Sequence, residues 1–250
     1  MIAAAAAGPA ARALVVGRGA RRALQEGAAG IVELTFGAGG YVRLGDDWIL
    51  LAPARSPLGP LSVLVAGLAR GHLVCGEPAV VADGALVAGG VRVDLALARD
   101  AAPARLVSLA PGWRRALAAA LEIAAPAPAA LAPGLDALCG GDQTGAVALL
   151  AGRGDGLTPV GDDVLAGYAA WAWAQGRPVT LPADRCAPLG RAYLRCAARG
   201  ELPVPAAAVL QAIGAGDAQA AARRASRLGL WGATSGSALL WGMAAGATWC

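Results

Sequence analysis

Two adjacent carboxylates, Asp162 and Asp163, follow a glycine-rich segment and stand where a helix is predicted to begin. Thr158 and Pro159 precede them, and these residue types are typical of the first positions of a helix. Free N–H groups at a helix start attract anions, whereas two carboxylates there favour a divalent cation or a cationic ligand group. We therefore predict catalytic roles for Asp162, Asp163 and Thr158. A glycine turn with aspartate capping explains the same residues without any chemistry.

The residues just before this helix predict a binding site for a small anionic substrate. Gly154 and Gly156 allow the backbone to approach a ligand closely, because they carry no side chain. Leu157 lies in the same loop, and Arg153 supplies a guanidinium that can hold a carboxylate or phosphate by two parallel hydrogen bonds.

A second helix start with hydroxyl groups lies near the end of the chain. Thr234, Ser235 and Gly236 precede a long apolar helical pattern that carries no charge. We predict that this start contributes to the same substrate site, with both helix starts converging on one small polar ligand. A simple serine or threonine cap on a buried helix is the alternative interpretation.

The composition excludes several kinds of site. All 21 basic residues are arginine, so neither a phosphate-loop lysine nor a Schiff-base lysine is present. The arginines are scattered and the net charge is only +4, so no nucleic-acid partner is predicted. One histidine and five cysteines without a close pair predict no zinc or other fixed metal site. Mg²⁺ bound by the two aspartates is the one cofactor that the sequence leaves possible. Free thiols are typical of a reducing compartment, so a cytoplasmic location is predicted.

The apolar pattern changes near residue 100 and predicts an α+β fold. Residues 1–100 contain short β-branched runs separated by glycine turns, which predict an antiparallel sheet or small barrel. Residues 101–250 contain helical patterns rich in alanine and glycine, and the two regions are expected to pack as one unit. The N-terminus has no basic segment typical of a signal peptide, and the uncharged residues 229–250 predict a buried helix instead of a membrane span.

Two motifs resemble those of a known family. The sequence GLTPVGDDVLAG at 156–167, followed by TSGSALLWG at 234–242, resembles the oxamate carbamoyltransferase subunit family. Valine replaces the family's usual serine at Val160 and its phenylalanine at Val164, and Asp155 occupies a position that is often proline. The exact substrate is therefore left open to related carbamoyl or acyl compounds.

The resemblance implies transfer of a carbamoyl group between oxamate and phosphate, in the use of allantoin-type nitrogen from purine catabolism. It also implies that other carbamoyltransferase subunits are partners, and the apolar C-terminal part independently predicts an oligomer. Two alternatives remain: a non-catalytic assembly or ligand-binding subunit, and a metal-assisted hydrolase that uses Asp162 and Asp163. The roles of His72 and Cys75 stay open.

Overall fold

The computed structural model describes residues 10–102 and 105–248. The predictions for the first nine residues, Trp249 and Cys250 lie outside these ranges. The chain divides into two compact units, Met1–Pro103 and Ala104–Cys250, which we call the β unit and the helical unit. The predicted α+β class is confirmed, with strands in the first unit followed by helices in the second.

The β unit is built around one sheet. Its strands within the described residues are β1 (Ala10–Val16), β2 (Ala29–Phe36), β3 (Gly39–Leu44), β4 (Asp47–Pro53), β5 (Ser62–Ala66), β6 (Pro78–Ala82), β7 (Ala85–Ala88), β8 (Val91–Asp94) and β9 (Arg99–Asp100). They are ordered β5-β4-β3-β2-β6-β7-β8-β1, and β1 also pairs with β5, so these eight strands close into a ring. One edge of β1 pairs with two strands in succession. Ala10–Arg12 pair with β8, and Val15 and Val16 pair with the short β9.

Local sequence explains most of this sheet. Asp83 and Gly84 both have positive φ, 51° and 67°, in the two-residue turn between β6 and β7, which is the geometry that Asp-Gly favours in hairpins. In β8 the buried Val91 and Val93 alternate with exposed charged residues, so one face of the strand reaches the core.

The N-terminal strand and the parallel strand pairings were not predicted from the sequence. β1 and the short helix α1 (Arg18–Ala23) arise from an alanine-rich stretch for which no strand was predicted. Three pairings, β1–β8, β1–β9 and β4–β5, are parallel, and the others are antiparallel. Parallel pairing joins strands that are distant in sequence or separated by a crossover, so short-range patterns do not reveal it.

The helical unit contains eight α-helices in its described part. They are α2 (Trp113–Leu121), α3 (Ala132–Cys139), α4 (Gln143–Leu150), α5 (Val160–Ala174), α6 (Pro188–Ala197), α7 (Val204–Gly214), α8 (Ala218–Leu228) and α9 (Ser235–Thr248). A 3-10 turn at Ala129–Leu131 leads into α3.

Helices α5 and α9 form the centre of this unit. Most residues of both helices are buried, 13 of 15 in α5 and ten of 14 in α9, as expected for helices that are apolar on all sides. A methyl group added at Gly167 of α5 would lie 2.2 Å from the backbone oxygen of Leu239, and one at Gly242 of α9 would lie 2.0 Å from that of Val164. The two backbones therefore touch directly, and this contact brings the first turns of α5 and α9 side by side.

The C-terminal apolar stretch forms the buried helix α9, as the sequence predicted. Across the described ranges, no helix combines the length and the apolar character that crossing a membrane requires.

Candidate functional site

The loop before α5 is open to solvent. We call residues 152–158 the glycine loop; all of them are exposed except Thr158, which is half-buried. Gly152, Gly154 and Gly156 have φ of 71°, 111° and 91°, a conformation that side chains other than glycine rarely adopt. Leu157 is 41% exposed, and a methyl group at Gly156 would meet no atom within 4 Å.

The backbone N–H groups of the glycine loop fall into two sets. The N–H of Gly152 binds the Asp162 carboxylate, and the N–H of Arg153 binds the backbone oxygen of Leu150. The N–H groups of residues 154–158 form no hydrogen bond to any other part of the chain that the structure describes. Five consecutive amides are thus available to solvent or to a ligand.

The first turn of α5 is closed by the chain itself. The N–H of Gly161 donates to the backbone oxygen of Arg153 at 2.9 Å, and those of Asp162 and Asp163 donate to Pro159 at 2.9 and 3.2 Å. These three N–H groups of the first turn therefore have acceptors within the chain, whereas those of residues 154–158 in the loop do not. Arg153 directs its side chain to the end of α4, where its Nε donates to the backbone oxygen of Leu149 at 2.9 Å.

Asp162 is fully buried and links three segments. Its Oδ1 accepts the Gly152 N–H at 2.7 Å, and its Oδ2 accepts the Ala187 N–H, just before α6, at 2.9 Å. Its carboxylate also accepts a hydrogen bond from the Cys186 thiol. The pKa of Cys186 is raised to about 12, mainly by burial and in addition by the charge and hydrogen bond of Asp162, so this thiol stays protonated and unreactive. Asp162 thereby holds the start of the glycine loop against the start of α6.

Asp163 has a different environment, although it is the next residue. Its side chain is 6% exposed, it forms a hydrogen bond with Ser235, and its Oδ2 is buried without a hydrogen-bond partner among the described residues. The pKa of Asp163 is raised from 3.8 to about 7, chiefly by burial. The Ser235 hydrogen bond opposes this rise and the Asp162 charge adds to it, both by less than burial does. Successive helical residues point about 100° apart, which explains why one aspartate faces α6 and the other faces α9.

The second predicted helix start is the one that meets Asp163. Ser235 is the first residue of α9 and is half-buried, so its hydroxyl lies between the buried carboxylate and the surface. Gly236 packs on the preceding chain: a methyl group there would lie 2.1 Å from the backbone oxygen of Leu228. Thr234 is exposed, and its backbone oxygen accepts the Ala238 N–H, which opens the helix.

The structure thus brings together some of the predicted residues and separates others. Asp163 and Ser235 meet, while Asp162 joins Gly152 on another face of α5. Cys186 and Ala187 were not predicted to take part, although Pro188 directly after them is a typical first residue of a helix. Nothing in their spacing from Asp162 indicates that they contact it.

The described residues contain no group of three or more histidine, cysteine, aspartate or glutamate side chains placed to hold a metal ion. Both carboxylate oxygens of Asp162 already accept hydrogen bonds from backbone N–H groups. The unpartnered Oδ2 of Asp163 is the remaining carboxylate oxygen of this pair.

Comparison with known proteins gives one family match, in the helical unit. Residues 150–247 match the family model of the oxamate carbamoyltransferase subunit AllH, so the predicted family is confirmed for this segment. The segment runs from the glycine loop to the end of α9 and includes both helix starts of the site. This match supports a subunit of an oxamate carbamoyltransferase. No curated protein and no solved structure shows significant similarity to the chain.

Proposed function

We propose that the chain is a subunit of an oxamate carbamoyltransferase and that it contributes residues to the reaction. In this proposal the glycine loop binds a phosphate group and the Asp163–Ser235 pair moves a proton. The observation that carries the proposal is the pairing of a buried, incompletely bonded carboxylate with a hydroxyl at the second helix start. The family match over residues 150–247 supports this class of reaction. We propose, as the resemblance implies, that this reaction serves the breakdown of allantoin-type nitrogen.

Five free amides in the glycine loop suit a phosphate or the phosphate of carbamoyl phosphate. A run of backbone N–H groups at an irregular turn forms a concave site for anions. The start of α5 directly follows and adds its positive dipole end. Thr158, half-buried and without a side-chain hydrogen bond to a described residue, adds a hydroxyl donor to the same loop.

Carbamoyl transfer from carbamoyl phosphate to oxamate requires one proton to leave the oxamate nitrogen. That nitrogen attacks the carbamoyl carbon, a C–N bond forms, and the C–O bond to phosphate breaks with its electron pair on phosphate. The proton passes to the Ser235 oxygen while the Ser235 proton passes to the Asp163 carboxylate. In the reverse direction the same groups return the proton to the leaving nitrogen.

The pKa of Asp163 near 7 fits this task, because both its charged and its neutral form are then populated at neutral pH. Asp162 has a positioning role in the proposal. It fixes the glycine loop through Gly152 and the start of α6 through Ala187, at 2.7 and 2.9 Å. Arg153, exposed at the end of α4, is placed to attract the anionic substrate.

Phosphate binding by the glycine loop is tested by thermal unfolding of the chain with added inorganic phosphate. Binding to the folded state raises the midpoint of unfolding with phosphate concentration. Leu157→Asp places a negative charge in the exposed loop and is expected to abolish this rise. Ile123→Asp, a change of the same kind at a residue 47% exposed outside the loop, is the matched control. Equal phosphate responses in both variants would contradict an anion site in the loop and favour an assembly role.

The proton-transfer role is tested in the enzyme assembled with its partner subunits. Loss of a general base or acid costs about 100-fold or more in rate, so Asp163→Asn and Ser235→Ala are both expected to reduce turnover by at least about 100-fold. Asp136→Asn, which neutralises an exposed aspartate of α3, is expected to leave turnover unchanged. Normal turnover in an assembled Asp163→Asn enzyme would exclude the proposed role.

A further inference from the structure

The β unit contains a pocket that the carbamoyltransferase proposal does not use. It has a volume of about 280 Å³ and lies between residues 35–39, at the turn from β2 to β3, and residues 69–73, in the loop after β5. A pocket of this size matches the lower end of the range for small-molecule sites.

The pocket carries one charged side chain. Arg70 lines it, is exposed, and forms no ion pair or hydrogen bond with a residue in the described ranges. No aspartate or glutamate lines the pocket. An arginine without a carboxylate partner offers its full set of N–H donors, whose fork geometry matches a carboxylate.

An aromatic ring forms another part of the wall. Phe36 lines the pocket and is 45% exposed, which leaves one side of its ring open. The ring is supported by Tyr41, whose centroid is 5.8 Å away at an interplanar angle of 54°. A planar ligand that rests on this ring would bury apolar surface without moving the wall.

The loop that carries Arg70 is held by its own hydrogen bonds. The N–H of Ala69 donates to His72 Nδ1 at 3.3 Å, and the N–H of His72 donates to the backbone oxygen of Ala69 at 3.2 Å. These bonds form a tight turn around Arg70, so its backbone is ordered before any ligand binds. His72 thereby has a structural contact, which its sequence position did not reveal.

We propose that this pocket binds a small planar carboxylate. Arg70 holds the carboxylate by two parallel hydrogen bonds, the Thr35 hydroxyl is a further donor in the wall, and the flat part of the ligand rests on Phe36. This site is separate from the glycine loop and extends the proposed function by a second anion site in the β unit.

The test is an NMR titration of the full chain with benzoate, and with benzamide as a neutral ligand of the same shape. Benzoate is expected to shift the amide signals of residues 35–39 and 69–73 with saturation, and benzamide is expected to bind more weakly. Loss of a charge-assisted pair weakens binding about tenfold or more, so Arg70→Gln is expected to raise the benzoate dissociation constant by that factor. Phe36→Ala is expected to raise it by less.

Arg55→Gln is the matched control, because Arg55 is also exposed in the β unit, also has no hydrogen bond or ion pair to a described residue, and does not line the pocket. Unchanged benzoate binding in Arg70→Gln, equal losses in both arginine variants, or no saturable binding to the wild-type chain would each overturn the proposal. Leu157→Asp is expected to leave benzoate binding intact. The two proposals can therefore fail independently, one in the benzoate titration and the other in the phosphate experiment.

Discussion

The two units of the chain differ in the polar groups that they bury. Among its described residues, the β unit buries one polar side chain, Ser62, whose hydroxyl accepts the Gly59 N–H in a turn. The helical unit buries two adjacent aspartates, and only one of them has both oxygens hydrogen-bonded. A buried carboxylate without full hydrogen bonding is destabilising, and such groups concentrate at functional sites. The difference supports the proposal that the reaction chemistry lies in the helical unit, where the family match also lies.

The largest effect is expected from removal of the fully bonded aspartate. Asp162→Ala leaves two part-buried N–H groups and the buried Cys186 thiol without an acceptor, and each such loss costs about 1–3 kcal/mol, so the helical unit is expected to lose about 5 kcal/mol. In the β unit, Asp94→Ala removes one exposed bond to the Ala96 N–H and is expected to cost below about 1 kcal/mol. Urea unfolding followed by far-ultraviolet circular dichroism measures both. Similar losses in the two variants would contradict the contrast between the units.

A smaller effect is expected from the ionisation of Asp163. Its pKa is raised on folding from 3.8 to about 7, so the folded state retains a proton between these values that the unfolded state releases. Stability from this group is present below pH 3.8 and is lost as the pH rises through about 7. Relative to Asp163→Asn, the wild-type chain is expected to lose roughly 4 kcal/mol across this window.

Unfolding free energies between about pH 3.5 and 8 for the wild-type chain, Asp163→Asn and Asp136→Asn test this dependence. The Asp136→Asn curve is expected to run parallel to that of the wild-type chain, because Asp136 is exposed. A wild-type curve parallel to that of Asp163→Asn would show that Asp163 is charged in the folded state at all these pH values.

The contact between α5 and α9 predicts the third effect. Gly242→Ala places a methyl group 2.0 Å from the backbone oxygen of Val164, and overpacking of this kind costs about 1–3 kcal/mol. Because Ser235 and Asp163 belong to these two helices, the same change is expected to weaken their hydrogen bond. Gly140→Ala, whose added methyl would have its nearest neighbour at 3.4 Å, is the control and is expected to be nearly neutral. Equal stability of the two variants would show that α9 shifts away without cost.

The smallest effects are expected from exposed polar contacts. Asp217 caps α8 by accepting the Ala220 N–H at 2.8 Å, and Asp217→Ala is expected to cost about 1 kcal/mol. In the β unit, Glu33→Gln removes a part-exposed ion pair to Arg43 of 3.1 Å and is expected to cost below about 0.5 kcal/mol. Thermal unfolding of both variants tests the ranking. A larger loss for Glu33→Gln would indicate that this surface pair is less screened than its exposure implies.

Much of the fold could be predicted because the ends of its helices and strands are marked by local residue types such as glycine. The helical pattern at 135–152 breaks at Gly140 and Gly141, and the structure places the end of α3 and the start of α4 on either side of them. β1 was not predicted, because its alanine-rich sequence has weak strand preference. Its strand state depends on pairing with β5 and β8, far along the chain.

The site could be predicted in part for the same reason. The exposure of the glycine loop follows from glycines at 152, 154 and 156, whose positive φ is a local property. The use of Arg153 at the end of α4 and of Asp162 at the start of α6 could not be predicted, because hydrogen bonds between distant segments have no signature in sequence spacing.

The amino-acid sequence by itself determined the α+β class, the positions of most helices and turns, and the family of residues 150–247, because these depend on periodicity, on glycine and on short motifs. Only the tertiary structure decided that two neighbouring aspartates differ in their hydrogen bonding. The glycine loop and the start of α6 each give Asp162 one N–H donor, whereas the packing of α5 against α9 buries Asp163 beside a single hydroxyl. The ionisation of a carboxylate depends on the groups that surround it in space, and these come from segments that lie 10 to 72 residues away in the chain.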